Sequence, residues 1–342
     1  MFSVRGSGLL IFFSRKFVFY VITFVVSLSL VWLLPHLMPG NPVAHLVFSI
    51  TSGSGQTEVL HRLYVYWVQK FGLNEPLDVQ YVIFIKNMVT FNFGPSIVGY
   101  PTMALAEVLY ALPWSLLLLG SAVVVGLVVG VYLGAAAAFQ KGIYDKLLYP
   151  FFLVGSNMPY YWFALVLVAV FAATLHIFPA GSAWSSNWIP QLSFGFIQNF
   201  LWHFTLPFIS LVIPYIGSTA IIMRTTTQSE ISSDYMEYSE TLGLSRIKLL
   251  KYALKNALLP LLSQLPLYLG GAFAGQIVLE VVFNYPGIGE LIYSSILNKD
   301  FNVIQCAFTF IILVVLVGNF MIDVLYVYVD PRIRSAYKGE KS

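Results

Sequence analysis

The chain reads as an all-α polytopic membrane protein, with six transmembrane helices and an outer subdomain between the first and second. Three observations predict this. Hydrophobic residues fill 58% of the 342 positions and charged residues only 10%, where a soluble domain carries roughly a quarter charged. Charge is absent over long runs: no Asp, Glu, Lys or Arg occurs in 17–57, in 108–140, or across the 77 residues of 147–223. Third, the basic residues collect on alternate connections between the apolar segments. A water-facing surface cannot be built from such runs, whereas hydrocarbon demands them.

A span needs about 20 mostly apolar residues, and six segments qualify: 17–37, 113–138, 147–175, 204–223, 257–282 and 303–329. The first follows Arg15 and Lys16, but its 18 residues of 17–34 are not followed by a small-residue cleavage site. We read it as an uncleaved anchor rather than a signal peptide. The organisation is then an N-terminal segment with anchor helix (1–37), an outer loop subdomain (38–112), a core of spans two to six (113–329) and a tail (330–342).

Orientation follows from Lys and Arg counted by connection. With the N-terminus inside, fourteen of the 18 basic residues lie on inner segments and four, Arg62, Lys70, Lys86 and Lys299, on outer ones. This positive-inside bias places both termini in the cytoplasm. The net charge of +3 gives no sign of nucleic acid. The single Cys306 cannot form an internal disulfide and leaves the redox compartment unread, and no His/Cys cluster has metal-ligand spacing.

The outer subdomain holds a Ser/Gly patch at 51–56 and a mixed apolar and polar stretch at 64–71, and is too long to be a mere turn. The outer loop 176–203 has no charge but contains Trp184, Trp188 and Trp202, which favour the headgroup region. In contrast, the inner loop 224–256 concentrates nine of the chain's 33 charges. Ser229, Ser232 and Ser233 are helix-start signals there, Gly243 a stop and Ser245 a new N-cap. The pattern predicts two short helices meeting at Gly243. In the second, Ile247, Leu250, Leu254 and Ala257 mark an apolar face and Lys248, Lys251 and Lys255 another.

This loop resembles the Glu-Ala-Ala…Gly motif of importer-type ABC permeases, with Glu237-Tyr238-Ser239 in the place of Glu-Ala-Ala and Gly243 six residues after the Glu. It departs at the two alanines, and Pro260 falls about one helical turn late. Other segments are similar to the dipeptide/oligopeptide permease family in the same order: Met38-Pro39-Gly40-Asn41-Pro42, Phe71-Gly72-Leu73-Asn74-Glu75-Pro76-Leu77 with Gln80-Tyr81, Phe93-Gly94 with Ser96, Tyr285-Pro286-Gly287-Ile288-Gly289, Lys299-Asp300, Asn319…Asp323…Tyr326, and Asp330-Pro331-Arg332-Ile333-Arg334. The resemblance implies the type I importer architecture. It also implies a translocation subunit that pairs with a second homologous permease subunit, is driven by two cytoplasmic ATPase subunits and is fed by an extracytoplasmic solute-binding protein. The chain has no Gly-Lys dipeptide, so it lacks the G-x-x-x-x-G-K-[ST] phosphate loop. Under this resemblance it is not an enzyme and binds no cofactor, and ATP and Mg belong to the partner ATPase subunits.

By the same resemblance the segment 234–245 is the helix that couples to the ATPase, with Asp234, Tyr235, Glu237, Ser239, Glu240, Gly243, Leu244 and Ser245 as its candidate residues. Glu237 either makes a charge contact there or solvates the loop. Polar residues inside spans form a second set, because they are costly in lipid. Ser156 and Asn157 before Pro159, Gln264 before Pro266, Gln276, and Asn319 with Asp323 one turn apart are candidates for pore lining or for helix packing. The segment 284–302 reads as a short outer or partly re-entrant helix. The five histidines form no ligand motif.

The resemblance implies an ATP-driven importer for peptides or related oligomeric solutes, with oligosaccharides and metal chelates, also carried within the family, as the alternatives. An ion-coupled secondary transporter is the alternative of another class, but it calls for several paired intramembrane charges, and the spans offer few. An intramembrane enzyme finds no Gly-x-Ser-x-Gly, HExxH or paired aspartates.

Overall fold

A computed structural model of the chain describes residues 7–37, 43–44, 47, 51, 57–70, 74–139 and 142–329. The motif at 38–42, most of the Ser/Gly patch, Phe71-Gly72-Leu73 and the tail 330–342 lie outside the described residues. Every regular element described is helical, with a single isolated antiparallel bridge between Pro95 and Met103. The chain divides into two compact units, one around Leu10–Trp114 with Gly287–Val317, the other around Ser115–Pro286 with the segment from Gly318 on.

The first unit contains α1 (Ser7–Leu37), α2 (Thr57–Lys70), α3 (Leu77–Val89), the start of α4 (Ala104–Phe139), α10 (Ile288–Leu297) and the start of α11 (Phe301–Val329). Its core joins Leu28 and Val31 of α1, Phe84 and Met88 of α3, Val108 and Ala111 of α4, Ile292, and Val303 and Ala307 of α11. Helix α4 begins nine residues before the predicted span and carries Pro113 inside it. Ala104, Val108 and Ala111 recur on one face and are buried. That packing holds the helix through a proline that removes one backbone bond.

Asp300 pins this unit. One carboxylate oxygen accepts from the Val303 amide at 3.2 Å and so caps α11, satisfying one of the amides that a helix start leaves open. The other accepts from Ser96 Oγ at 2.6 Å, the Ile97 amide at 2.6 Å and the Val98 amide at 3.0 Å. Asn302 adds a bond to the Pro95 carbonyl at 2.7 Å.

In the second unit, the remainder of α4 packs with α5 (Ile143–Asn157), α6 (Tyr160–Leu167), α7 (Phe194–Ile231), α8 (Asp234–Thr241) and α9 (Arg246–Val282). A π-helical turn, Val168–Thr174, continues α6. Close approach is set by small residues. A Cβ built on Gly126 would meet Tyr215 Cβ at 2.4 Å, one on Gly130 would meet Thr219 Cβ at 2.6 Å, and one on Gly134 the Ala220 carbonyl at 2.3 Å. These glycines, four residues apart, form one stripe of α4 against α7. Gly217 does the same on the other side of α7, where a Cβ would lie 2.7 Å from the Ser156 amide. Burial follows: 61% of the most apolar window of α7 is buried, against 11% for α1.

Among the described residues four helices, Ile11–Leu34, Ala104–Phe139, Phe194–Ile231 and Phe301–Val327, are long and apolar enough to cross a membrane, and the number is six when each of two bent pairs is taken as one span. The predicted third span, 147–175, is broken at its helix breaker, between Asn157 and Tyr160, with a bend of 105°. Pro159 holds Met158 extended (φ −81°, ψ 121°), which a residue before proline prefers and a helix does not allow. The fifth bends by 59° between Tyr268 and Phe273, beyond Pro266 and across Gly270-Gly271, both ordinary causes of a kink.

Candidate functional site

The expected pair of short helices at Gly243 is half right. α8 is short, eight residues, but its successor is the 37-residue α9, which runs on into the fifth span. No terminator interrupts 246–260, and the apolar face that begins at Leu249 and Ala253 continues through Ala257 and Leu261. Likewise Arg224 and Glu230 are not in a loop: they belong to α7, which extends eight residues beyond the predicted span to Ile231. The connection itself is 232–245.

The stop at Gly243 is a Schellman motif. Its φ is +77°, the Gly243 amide donates to the Glu240 carbonyl at 2.9 Å, and the Leu244 amide to the Ser239 carbonyl at 3.3 Å. A Cβ there would meet nothing within 4 Å. The demand for glycine is therefore one of backbone conformation, not of space. Ser233 and Ser245 occupy the N-cap positions in extended conformation, yet neither side chain makes a capping bond. Ser233 Oγ donates instead to the Glu230 carbonyl at 2.5 Å.

One residue plugs α8 into the unit. Met236 is buried with Leu249 and Ala253 of α9, beside Ile231 of α7, Phe139 of α4 and Leu244. Around the rest of α8 the side chains are open: Asp234, Glu237, Glu240 and Thr241 are exposed, and Tyr238 and, at the C-cap, Leu242 are 66% and 62% exposed. Three carboxylates and two large apolar side chains thus face outward from one short helix. Ser239 is half-buried, and its hydroxyl donates back to the Tyr235 carbonyl at 2.6 Å.

Tyr235 looks inward. Its hydroxyl donates to Glu230 of α7, while Asn256 Nδ2 of α9 donates to the same carboxylate oxygen at 3.3 Å and to the Tyr235 hydroxyl at 3.1 Å. Burial, and then the Glu230 carboxylate, push the Tyr235 phenol above its ordinary value, so it stays a neutral donor through the physiological range. Glu230 and Asn256 were not among the sequence candidates. They lie 26 positions apart, and no local periodicity links them.

The intramembrane candidates fall into separate settings. Ser156 and Asn157, at the break in the third span, both donate to the Leu153 carbonyl, at 3.1 and 2.8 Å, and close their own last turn. Gln264 is exposed. Gln276 is buried: its Nε2 donates to the Ser115 carbonyl at 2.9 Å and to Glu280 at 2.6 Å, and Ser115 Oγ donates to Glu280 at 2.7 Å. Glu280 is fully buried. Asn319 and Asp323 share a face of α11 and are half-buried, and Asn319 Oδ1 is buried with no partner among the described residues. The connection before α7 also folds back on that helix: His203 is hydrogen-bonded to Ser185 Oγ at 3.1 Å and lies 3.0 Å from the Gly181 carbonyl, Trp184 packs on Phe196 and Trp188 lies over Gly195. No group of three or more His, Cys, Asp or Glu able to hold a metal ion occurs among the described residues.

Comparison with known proteins agrees over most of the chain. Residues 126–335 match the family described as binding-protein-dependent transport system inner membrane component. The dipeptide transport system permease protein DppB of Bacillus subtilis is 30% identical over 331 residues, 95% of this chain and 98% of the relative. The oligopeptide transport system permease protein OppB of Haemophilus influenzae is 33% identical, over 78% of this chain and 83% of its own length. The glutathione transport system permease protein GsiC of Salmonella paratyphi A is 29% identical over 91% and 95%. A helical chain with several membrane-spanning segments, a short acidic helix between two long ones and a match of this extent belongs to the family of binding-protein-dependent transport system inner membrane components.

Proposed function

We propose that the chain is the membrane-spanning translocation subunit of an ATP-driven importer for peptides or related oligomeric solutes. Both termini face the cytoplasm, and α8 seats in a cytoplasmic ATPase subunit. The observation that carries this is α8 itself: an eight-residue helix anchored by Met236, whose exposed side chains include Glu237, Glu240 and Tyr238, with Leu242 exposed at its C-cap. Such a face fits a groove with an apolar floor and basic walls. Because α8 is short-coupled to α7 on one side and to α9 on the other, a push on it is delivered to two spans at once. A second homologous permease subunit completes the path, two ATPase subunits hydrolyse ATP with Mg, and an extracytoplasmic binding protein delivers cargo. Peptide cargo is supported by the names of the relatives; oligosaccharides and metal chelates are the alternatives.

The test is purification of the intact complex and its reconstitution in vesicles. The reading expects copurifying ATPase chains, and hydrolysis and uptake stimulated by a peptide-loaded binding protein. Uptake by the purified chain alone, driven by an ion gradient without ATP, would overturn it in favour of a secondary transporter. Stimulation by sugar or metal chelate but not by peptide would replace the cargo and leave the architecture.

A further inference from the structure

We infer that Glu230, Tyr235 and Asn256 are positioning residues: together they clamp the angle of α8 against α7 and α9, and this clamp sets how much ATPase movement reaches the spans. The inference rests on the reading of α8 as the docking helix. Three helices meet at this point, and each supplies one member: Glu230 from the last turn of α7, Tyr235 from the first turn of α8, and Asn256 from α9. An isolated eight-residue helix is not stable in water, so its neighbours decide where it points. Met236 provides burial, but apolar contact is non-directional and leaves α8 free to roll about that residue. Hydrogen bonds are directional. The bonds that Tyr235 and Asn256 direct onto one Glu230 oxygen, with the third between them, fix the roll that Met236 leaves open.

The triangle is also placed to yield. Tyr235 is 39% exposed and Glu230 and Asn256 half-buried, so water can take the place of any partner at small cost. Every bond is made by a side chain on both sides, so a rotamer change opens it without loss of helix. An opened clamp lets α8 swing on Met236 and the Gly243 turn while the ATPase moves, and the stroke is dissipated before it reaches α7 and α9.

The experiment compares uptake with ATP hydrolysis in the reconstituted complex for Tyr235→Phe, which keeps the ring and removes the hydroxyl, for Asn256→Ala, and for the double variant. The expected result is wild-type copurification of the ATPase and hydrolysis within about twofold, with uptake per ATP down about three- to tenfold. The double variant falls no further than the worse single, because the two side chains act as one unit, and Asn256→Gln restores part of the loss. Wild-type uptake per ATP in both single variants overturns the clamp and leaves the docking reading standing. So does a parallel fall of hydrolysis and uptake together, which marks a merely structural role. Failure of the wild-type chain to hold an ATPase subunit sinks the docking reading and the clamp with it.

Discussion

Asp300 and Glu230 are both carboxylates that gather separate segments, but they hold different kinds of donor. Asp300 is 1% exposed and accepts from three backbone amides and one hydroxyl. Glu230 is half-buried and accepts from a phenol and a carboxamide. A backbone amide cannot turn away from its acceptor unless the chain unfolds locally, whereas a side chain can. The first is therefore a fixed staple of segment 96–98 to the start of α11, and the second, on the inference above, a joint able to open. Fixed and movable polar contacts are told apart by donor type and burial, not by the charge at the centre.

Asp300→Ala separates staple from joint most strongly. It leaves the Ile97 and Val303 amides and the Ser96 hydroxyl buried without this acceptor, at about 1–3 kcal/mol each before relaxation, and the partly buried Val98 amide loses it as well. The expected outcome is loss of monodisperse protein in detergent, or a large drop in thermal midpoint; an unchanged midpoint would mean that Asp300 is no staple. Next is Gly130→Leu, which forces a side chain into the contact with Thr219. Overpacking of about 1–3 kcal/mol should lower the midpoint and the yield of the assembled complex. Gly243→Val follows: with open space around the site and φ at +77°, the cost is backbone strain of about 1–2 kcal/mol. Uptake should fall while Gly243→Asn, which tolerates this conformation, retains most of it; equal losses would point to side-chain size instead. The smallest effect on stability belongs to Tyr235→Phe, about 1 kcal/mol or less at a half-exposed bond. A midpoint shift as large as that of Asp300→Ala would erase the distinction between staple and joint.

The span segments were legible because poverty of charge is a property of a segment alone. So was the break at Pro159, whose effect on Met158 is local, and the Gly243 stop, whose Schellman bonds reach only three to five residues back. What the sequence misjudged were ends. α4 begins early because Val108 and Ala111 find a core to bury against, and α9 runs on because Leu249 and Ala253 pack with Met236. Neither partner is visible from the helix concerned. The glycines at 126, 130 and 134 are visible as a stripe of small residues, but that they meet α7 is not.

Composition and local pattern are enough to put the chain in a membrane, to make it helical and to locate the turn after its short acidic helix. These depend on composition and on contacts within about one turn of helix. Only the tertiary structure decided which polar groups share a site. Ser96 meets Asp300 across 204 positions, Ser115 meets Glu280 across 165, and Asn256 meets Glu230 across 26. Hydrogen bonds act over about 3 Å, so such pairs exist only once packing has chosen which helices are neighbours.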